Sequence, residues 1–319
     1  MVAVRYAVRA DLSQLAAGDR ILVACSGGGD SIALAVALAK EAPLMAISLA
    51  AATIDHGLQD GSEIRADETA QWLRDNGYEQ VANMKVRVGR QGGLESAARD
   101  ARYAALDLEA ARIKASAIYL GHSMDDQAES VLLGLARGSG PRSIAGMERV
   151  SGPYRRPLLG LRRSQLRAAC IEVGARIWDD PHNEDDRFTR VGLRKLMPDL
   201  EATLGGGVVE ALARTADLLR EDLSALDSLI TPFLDRTEIE VVDLAQLPPA
   251  LRKRALRAMA FGAGVPAGSL TFEHLTRMDA LIADWKGQGG VALPGDLTFA
   301  RKSGRLSFSS TGKVERGSR

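Results

Sequence analysis

Residues 21–40, ILVACSGGGDSIALAVALAK, decide the fold. The apolar run ILVAC has strand character, three glycines and an aspartate follow it, and an alanine- and leucine-rich helical pattern opens at Ser31. A strand that turns through glycines into a helix begins a βα unit. Consecutive glycines at Gly27, Gly28 and Gly29 let the backbone approach a polyphosphate, several N–H groups can point inward, and the helix N-terminus adds partial positive charge. Ser26 and Ser31 supply hydroxyl groups. Asp30 is the odd member, because a carboxylate beside phosphates requires a cation between them. The plainer alternative is a glycine turn with an aspartate capping a helix, and the spacing is not that of GxxxxGK[ST].

Outward from this stretch the pattern repeats. Further apolar runs lie at residues 45–54, 81–88 and 117–120, and helical segments at residues 31–41, 62–76, 94–114 and 125–137. Strand and helix in alternation predict an α/β fold, a doubly wound parallel sheet with helices on both faces. Ligands in such sheets bind outside the carboxyl ends of the strands, so the residues after ILVAC, TI and AIYL should share one edge. Three glycines at Gly205, Gly206 and Gly207 suggest a boundary, giving a catalytic domain over residues 1–204 and a second domain over 205–319. The second domain reads as smaller, mixed helical and β-hairpin, with helices over residues 251–261 and 272–286 and a closing hairpin that turns around Lys302-Ser303-Gly304.

Charge is uneven along the chain. The 319 residues carry 41 basic and 41 acidic side chains, which argues against indiscriminate coating of nucleic acid. Residues 1–148 are net −4, residues 149–195 net +5 and residues 196–319 net −1, so a basic middle is concealed in the neutral total. Its arginines, Arg155 and Arg156 among them, have a density suited to phosphate contacts. Two cysteines, Cys25 and Cys170, form no CxxC pair and no disulfide framework, which points to a reducing, cytoplasmic setting. No apolar run is long enough for a membrane span, and the first residues carry no signal-peptide pattern.

Three more clusters could carry chemistry. In residues 121–130, GHSMDDQAES, helical spacing places His122 near Asp126 and Asp126 beside Glu129. Adjacent carboxylates repel unless a cation lies between them, so with Asp30 they suit Mg²⁺ or an ammonium group; Asp125 suits a helix cap. Asp55 and His56 end the second strand, where Asp-His-Gly is also an ordinary turn. Arg99 and Arg102 lie three apart on a helix and could face an anion, or simply sit solvated with Glu95. Downstream, a loop at residues 180–185 introduces a helix whose Arg190 and Arg194 share a face suited to phosphate, and Trp178 suits packing better than stacking on a base.

Taken in order, SGGGDS, IDHGL, LESAARDARYAAL, GHSMDDQAESVLLGLARGSG, RRPLL and DDPHNEDDRFTRVGLRKLMP resemble the tRNA(Ile)-lysidine synthetases of the short type, within the N-type ATP pyrophosphatases and their adenine nucleotide alpha hydrolase-like fold. The resemblance implies an ATP-dependent ligase that joins L-lysine to C2 of the wobble cytidine in isoleucine tRNA with a CAU anticodon. An adenylated base is the implied intermediate, pyrophosphate and AMP leave, and codon specificity changes from AUG to AUA. It further implies that Ser26, Gly27, Gly28, Gly29, Asp30 and Ser31, with Asp55 and His56, bind ATP, and that Asp30 and Asp126 hold Mg²⁺. Asp126 and Glu129 would hold metal or the lysine ammonium, while His122, Arg102 and Arg99 would assist adenylation. Arg190, Arg194, Arg155 and Arg156 would contact tRNA, and the second domain would grip it away from the anticodon. A homodimer is expected. Ser130 stands where the family often has Thr and keeps the hydroxyl; Val191 stands where it often has Asn and loses the amide. Two rivals are a tRNA thiolase, which would need a cysteine pair or cluster, and a nucleotide-binding module without turnover, which would need no clustered carboxylates.

Overall fold

A computed structural model describes residues 1–57, 61–87, 89, 94–138, 140–178, 189–234, 236–266 and 268–310. The loop expected at residues 180–185 lies outside the described residues, as does the Glu95 side chain. In chain order the first part holds α1 (Val2–Leu12), β1 (Arg20–Ala24), α2 (Gly29–Glu41), β2 (Ser48–Asp55), α3 (Ser62–Asp75), β3 (Gln80–Lys85), α4 (Leu94–Ile113), β4 (Ala117–Leu120) and α5 (Met124–Ala136). There follow α6 (Pro141–Ile144), β5 (Val150–Ser151), β6 (Tyr154–Arg155), α7 (Arg163–Glu172), α8 (Thr189–Leu204) and α9 (Val208–Ser228).

The large sheet has the order β3-β2-β1-β4-β6-β5, parallel throughout except that β5 returns antiparallel to β6. Period-two alternation along β1 feeds both faces: Ile21 and Val23 join the layer with α1, α2 and α7, while Leu22 and Ala24 join Leu106 and Ala110 of α4 on the other. Because β1 has β2 on one side and β4 on the other, the strand order reverses between β1 and β4, and a crevice opens at their carboxyl ends. The doubly wound parallel sheet read from the sequence is the fold observed.

Helix α1 was not singled out by the sequence pattern. Its Val4, Val8 and Leu12 are buried, and Arg5 and Arg9 bind the buried carboxylate of Glu41 at 2.5 and 2.7 Å. Those hydrogen bonds, that from Arg9 first, hold Glu41 below the usual carboxylate range despite its burial.

The chain separates into two compact units, Met1–Leu219 and Arg220–Arg319, so the division falls inside α9 and not at the three glycines. Each of those glycines has a positive φ, and together they only reverse the chain between α8 and α9. Glu201 accepts from the N–H groups of Val208 and Val209 at 3.1 and 3.3 Å, and Met197 and Val209 share a small apolar cluster with Ala128 of α5. The start of α9 therefore belongs to the first unit.

The second unit adds β7 (Glu238–Glu240), α10 (Val241–Ala245), α11 (Pro249–Gly262), α12 (Phe272–Ala283), β8 (Val291–Leu293), β9 (Leu297–Lys302) and β10 (Arg305–Ser310). An antiparallel sheet, β7-β10-β9-β8, packs on its helices around Met259, Met278, Phe299 and Leu306. Ser303 and Gly304 both adopt left-handed φ, the geometry that a tight two-residue hairpin turn demands. Among the described residues no helix is long and apolar enough to cross a membrane.

Candidate active site

The glycine loop is held in shape from within. Gly27 adopts φ +84°, and a Cβ there would stand 2.8 Å from the Thr69 hydroxyl, so both conformation and space require glycine. The Ser31 hydroxyl donates to the Gly28 carbonyl at 2.9 Å and accepts from the Ser26 N–H at 3.2 Å. Gly28 is the N-cap of α2, so the first N–H groups of that helix face the crevice without intrahelical partners.

Gly121, which ends β4, brings the second cluster against this loop. A Cβ at position 121 would lie 2.9 Å from both the Asp30 carbonyl oxygen and the Ser31 Cα. Asp126 is fixed by the backbone N–H and hydroxyl of Ser123, at 2.8 and 3.0 Å. A cavity of about 370 Å³ opens at this junction, lined by the loop, His122, Asp126 and the arginines Arg102, Arg163, Arg167 and Arg194. A second cavity, about 160 Å³, lies toward β2 and is lined by Asp55, His56, Arg65, Arg102 and Trp178.

The carboxylates meet on one guanidinium, that of Arg163, the first residue of α7. It stands 2.7 Å from Asp126, 3.3 Å from Glu129 and 3.3 Å from Asp30. Its backbone N–H donates to Asp125 at 2.7 Å, so Asp125 caps α7 and not its own helix. Burial first, then the charge of Asp126, pushes Asp30 up to about 6. Burial acts against Asp126 as well, yet Arg163 and the Ser123 hydrogen bonds hold it below its ordinary value. Glu129 is raised by burial and by Asp126. Arg163 was not anticipated from the sequence. A signal existed: cations are disfavoured at a helix N-terminus, so an arginine there points to a carboxylate partner elsewhere.

Glu129 is 1 % exposed and gathers arginines from α8 as well, Arg194 at 3.2 Å and Arg190 at 3.7 Å. Arg190 also donates to the Ser130 hydroxyl at 3.3 Å. Both arginines therefore lie in the carboxylate cluster, with Arg194 on the cavity wall. Arg155 is turned to the opposite face of the sheet, where it meets Asp11 at 3.4 Å and Gln14 at 3.0 Å, because residues alternate along β6. Arg156 is buried and donates to the Glu148 carbonyl at 3.0 Å.

His122 and His56 each bury an Nδ1 with no hydrogen-bond partner among the described residues. Burial keeps both imidazoles neutral well below their usual range, and Arg102 adds to this. Burial lowers Arg102 too. The Asp55 carboxylate accepts from the Gly57 N–H at 2.8 Å and, with the Ser62 hydrogen bond, lies below its ordinary value against the effect of burial. The Trp178 backbone N–H donates to the Gly27 carbonyl at 3.0 Å, while Arg65 lies 4.5 Å above its ring and the residue borders both cavities.

No three metal-ligating side chains cluster to hold an ion by themselves among the described residues. Magnesium needs fewer, since one or two carboxylates complete its shell with phosphates and water. Asp30 and Asp126, hard oxygen donors sharing the phosphate cavity, fit that role, and the raised Asp30 is the group a second cation would relieve.

A glycine loop under a helix N-terminus, arginines around it and carboxylates at its rim define a PP-loop enzyme that works on ATP, and the PP-loop domain family matches residues 4–200. The TilS substrate binding domain matches residues 240–307. The tRNA(Ile)-lysidine synthase of Streptomyces coelicolor is 52% identical over 90% of this chain and 84% of its own. That of Thermobifida fusca is 48% identical over 96% and 97%. The chain belongs to the tRNA(Ile)-lysidine synthase family and is an ATP-dependent ligase of that family. Among solved structures, a U34-tRNA thiolase from Methanococcus maripaludis with its [4Fe-4S] cluster shares the fold at TM-score 0.58 and 16% identity, covering 68% of this chain and 79% of that one.

Proposed function

We propose that this chain joins L-lysine to C2 of the wobble cytidine of CAU-anticodon isoleucine tRNA in two displacements. The cytosine C2 oxygen attacks the α-phosphorus of ATP and pyrophosphate leaves; the lysine ε-amine then attacks C2 and AMP leaves. The observation that carries this reading is the junction of the glycine loop with Asp30 and Asp126 at Gly121, which puts a phosphate-binding loop and two carboxylates on one cavity, with buried Glu129 joined to them through Arg163.

Roles follow from the geometry. Ser26, Gly28, Gly29 and the start of α2 receive the leaving pyrophosphate, with Arg167 and Arg194 on the cavity wall to balance its charge. The nucleoside end of ATP occupies the cavity beside Asp55, His56 and Trp178. Asp30 and Asp126 would hold Mg²⁺, which would supply positive charge against that developing on the phosphates. Glu129 Oε2 is buried, with no hydrogen-bond partner among the described residues and the Arg190 guanidinium 3.7 Å away, and an incoming lysine ammonium would exchange with that arginine. His122, kept neutral by burial, lines the cavity with Arg102, and the two assist the adenylation step; the proton that the amine sheds leaves to solvent. The matched substrate-binding domain would grip the tRNA, in a cytoplasmic reaction.

Sulfur transfer fits poorly: the chain has two cysteines, both buried and unpaired. Incubation with isoleucine tRNA transcript, ATP, Mg²⁺ and lysine, followed by nucleoside mass spectrometry, tests the proposal. Lysidine is the expected product; a folded protein that yields none defeats it.

A further inference from the structure

Beside the carboxylate cluster, α4 carries an organised set of planar groups that the roles above do not use. The Tyr103 ring packs on the apolar layer around Leu106 and meets the Tyr154 ring with 4.8 Å between centroids and 59° between planes. The guanidinium of Arg99 lies 4.9 Å from the centre of the Tyr103 ring and donates to its hydroxyl at 3.2 Å. Buried Arg156 donates to the same hydroxyl at 3.4 Å, and the Tyr154 hydroxyl donates to Asp107 at 2.5 Å. Tyr154 and Tyr103 are both half-buried, and Arg99, on the outside of Tyr103, is exposed.

A ring anchored in the core and tied down through its hydroxyl is rigid. A guanidinium on its outside leaves a planar, positively charged surface toward solvent. That combination suits an unpaired nucleobase, which brings a flat face and a phosphate together; a carboxylate partner would use the charge and waste the plane. The location is equally specific. Arg102 precedes Tyr103 and borders both cavities, while Arg99, Arg102 and Arg156 all bear electrostatically on His122.

We infer that Arg99 over the Tyr103 ring, braced by Tyr154, is the platform on which the wobble cytidine rests while its C2 is presented to the phosphate cavity. This rests on the function proposed above and names where the RNA loop meets the chain.

The test uses the full-length protein and an anticodon stem-loop RNA with pyrrolo-cytidine, whose fluorescence falls on stacking, at the wobble position. Wild type should quench the probe. Tyr103→Phe, which keeps the ring, should also quench it, whereas Tyr103→Leu and Arg99→Lys should not. In those two the KM for tRNA should rise about tenfold, the loss of one stacked base, with the KM for ATP within about twofold. Arg99→Lys is an exposed substitution that keeps charge and removes the plane, so it decides the matter if Tyr103→Leu fails to fold. Equal quenching by wild type and Arg99→Lys overturns the inference, as does a wild type that makes lysidine without quenching the probe. A wild type that makes no lysidine defeats the proposed function instead.

Discussion

Gly121 stands so close to Asp30 that a methyl group on its Cα would lie 2.9 Å from the Asp30 carbonyl oxygen. Backbone meets backbone there, and no flexible side chain can yield. Gly121→Ala should push the loop and α5 apart, costing about 1–3 kcal/mol of stability and about a hundredfold in kcat/KM. Thermal melts and lysidine formation check both; activity within twofold of wild type would show that the contact does not set the site.

Arg163 balances three carboxylates, so its removal leaves them mutually repelling in a half-buried cluster. Arg163→Met is expected to cost about 3–5 kcal/mol and to abolish turnover. Arg163→Lys keeps the charge without the fork and should recover most of the stability and little of the activity. Urea unfolding of both variants separates the two effects; equal stability of Arg163→Met and wild type would contradict the assignment.

Asp30 offers a pH test with a definite sign. Its folded value, about 6, lies above its ordinary one, so the folded protein holds a proton that the unfolded chain releases. Its contribution is therefore favourable at acid pH and is lost as pH rises through about 6. Buried neutral His122 slopes the other way, losing stability as pH falls below the ordinary histidine range. The difference in unfolding free energy between Asp30→Asn and wild type isolates the first effect. The variant should gain on wild type between pH 4.5 and 7, and a difference that stays flat refutes the raised value.

Burial pushes the Cys170 thiol up to about 11, and its Sγ lies 3.4 Å from the Gly29 carbonyl. It should resist iodoacetamide at pH 8 in the folded protein, and Cys170→Ala should keep lysidine formation while losing about 1 kcal/mol of stability. Peptide mass mapping and the product assay read the two. Loss of turnover with the fold intact would reopen sulfur chemistry.

The strands and helices that build the sheet were legible because apolar runs and glycines mark βα units locally. So was the shared edge, which is why Asp30, His122, Asp126 and Glu129 could be grouped from sequence alone. Charge counting in residues 149–195 gave the density of arginines but not their partners: Arg155 meets Asp11, Arg162 meets Glu210, Arg163 meets Asp126, and Arg190 and Arg194 meet Glu129. Partners 37 or 144 positions away leave no trace in a local window. The platform on α4 escaped for the same reason, since Tyr154 reaches Tyr103 only once β6 has joined the sheet.

The ion pairs of Arg163 also bear on the order of synthesis. When the ribosome has delivered Asp30, Asp126 and Glu129, the residue that reconciles them is still to be translated. A nascent chain stopped at residue 160 carries like charges at one sheet edge and nothing to draw them together. Arrival of α7 removes that repulsion and caps its own first turn with Asp125 in the same movement. The carboxylates of the site edge thus depend for their balance on residues that follow them by at least 34 positions in the chain.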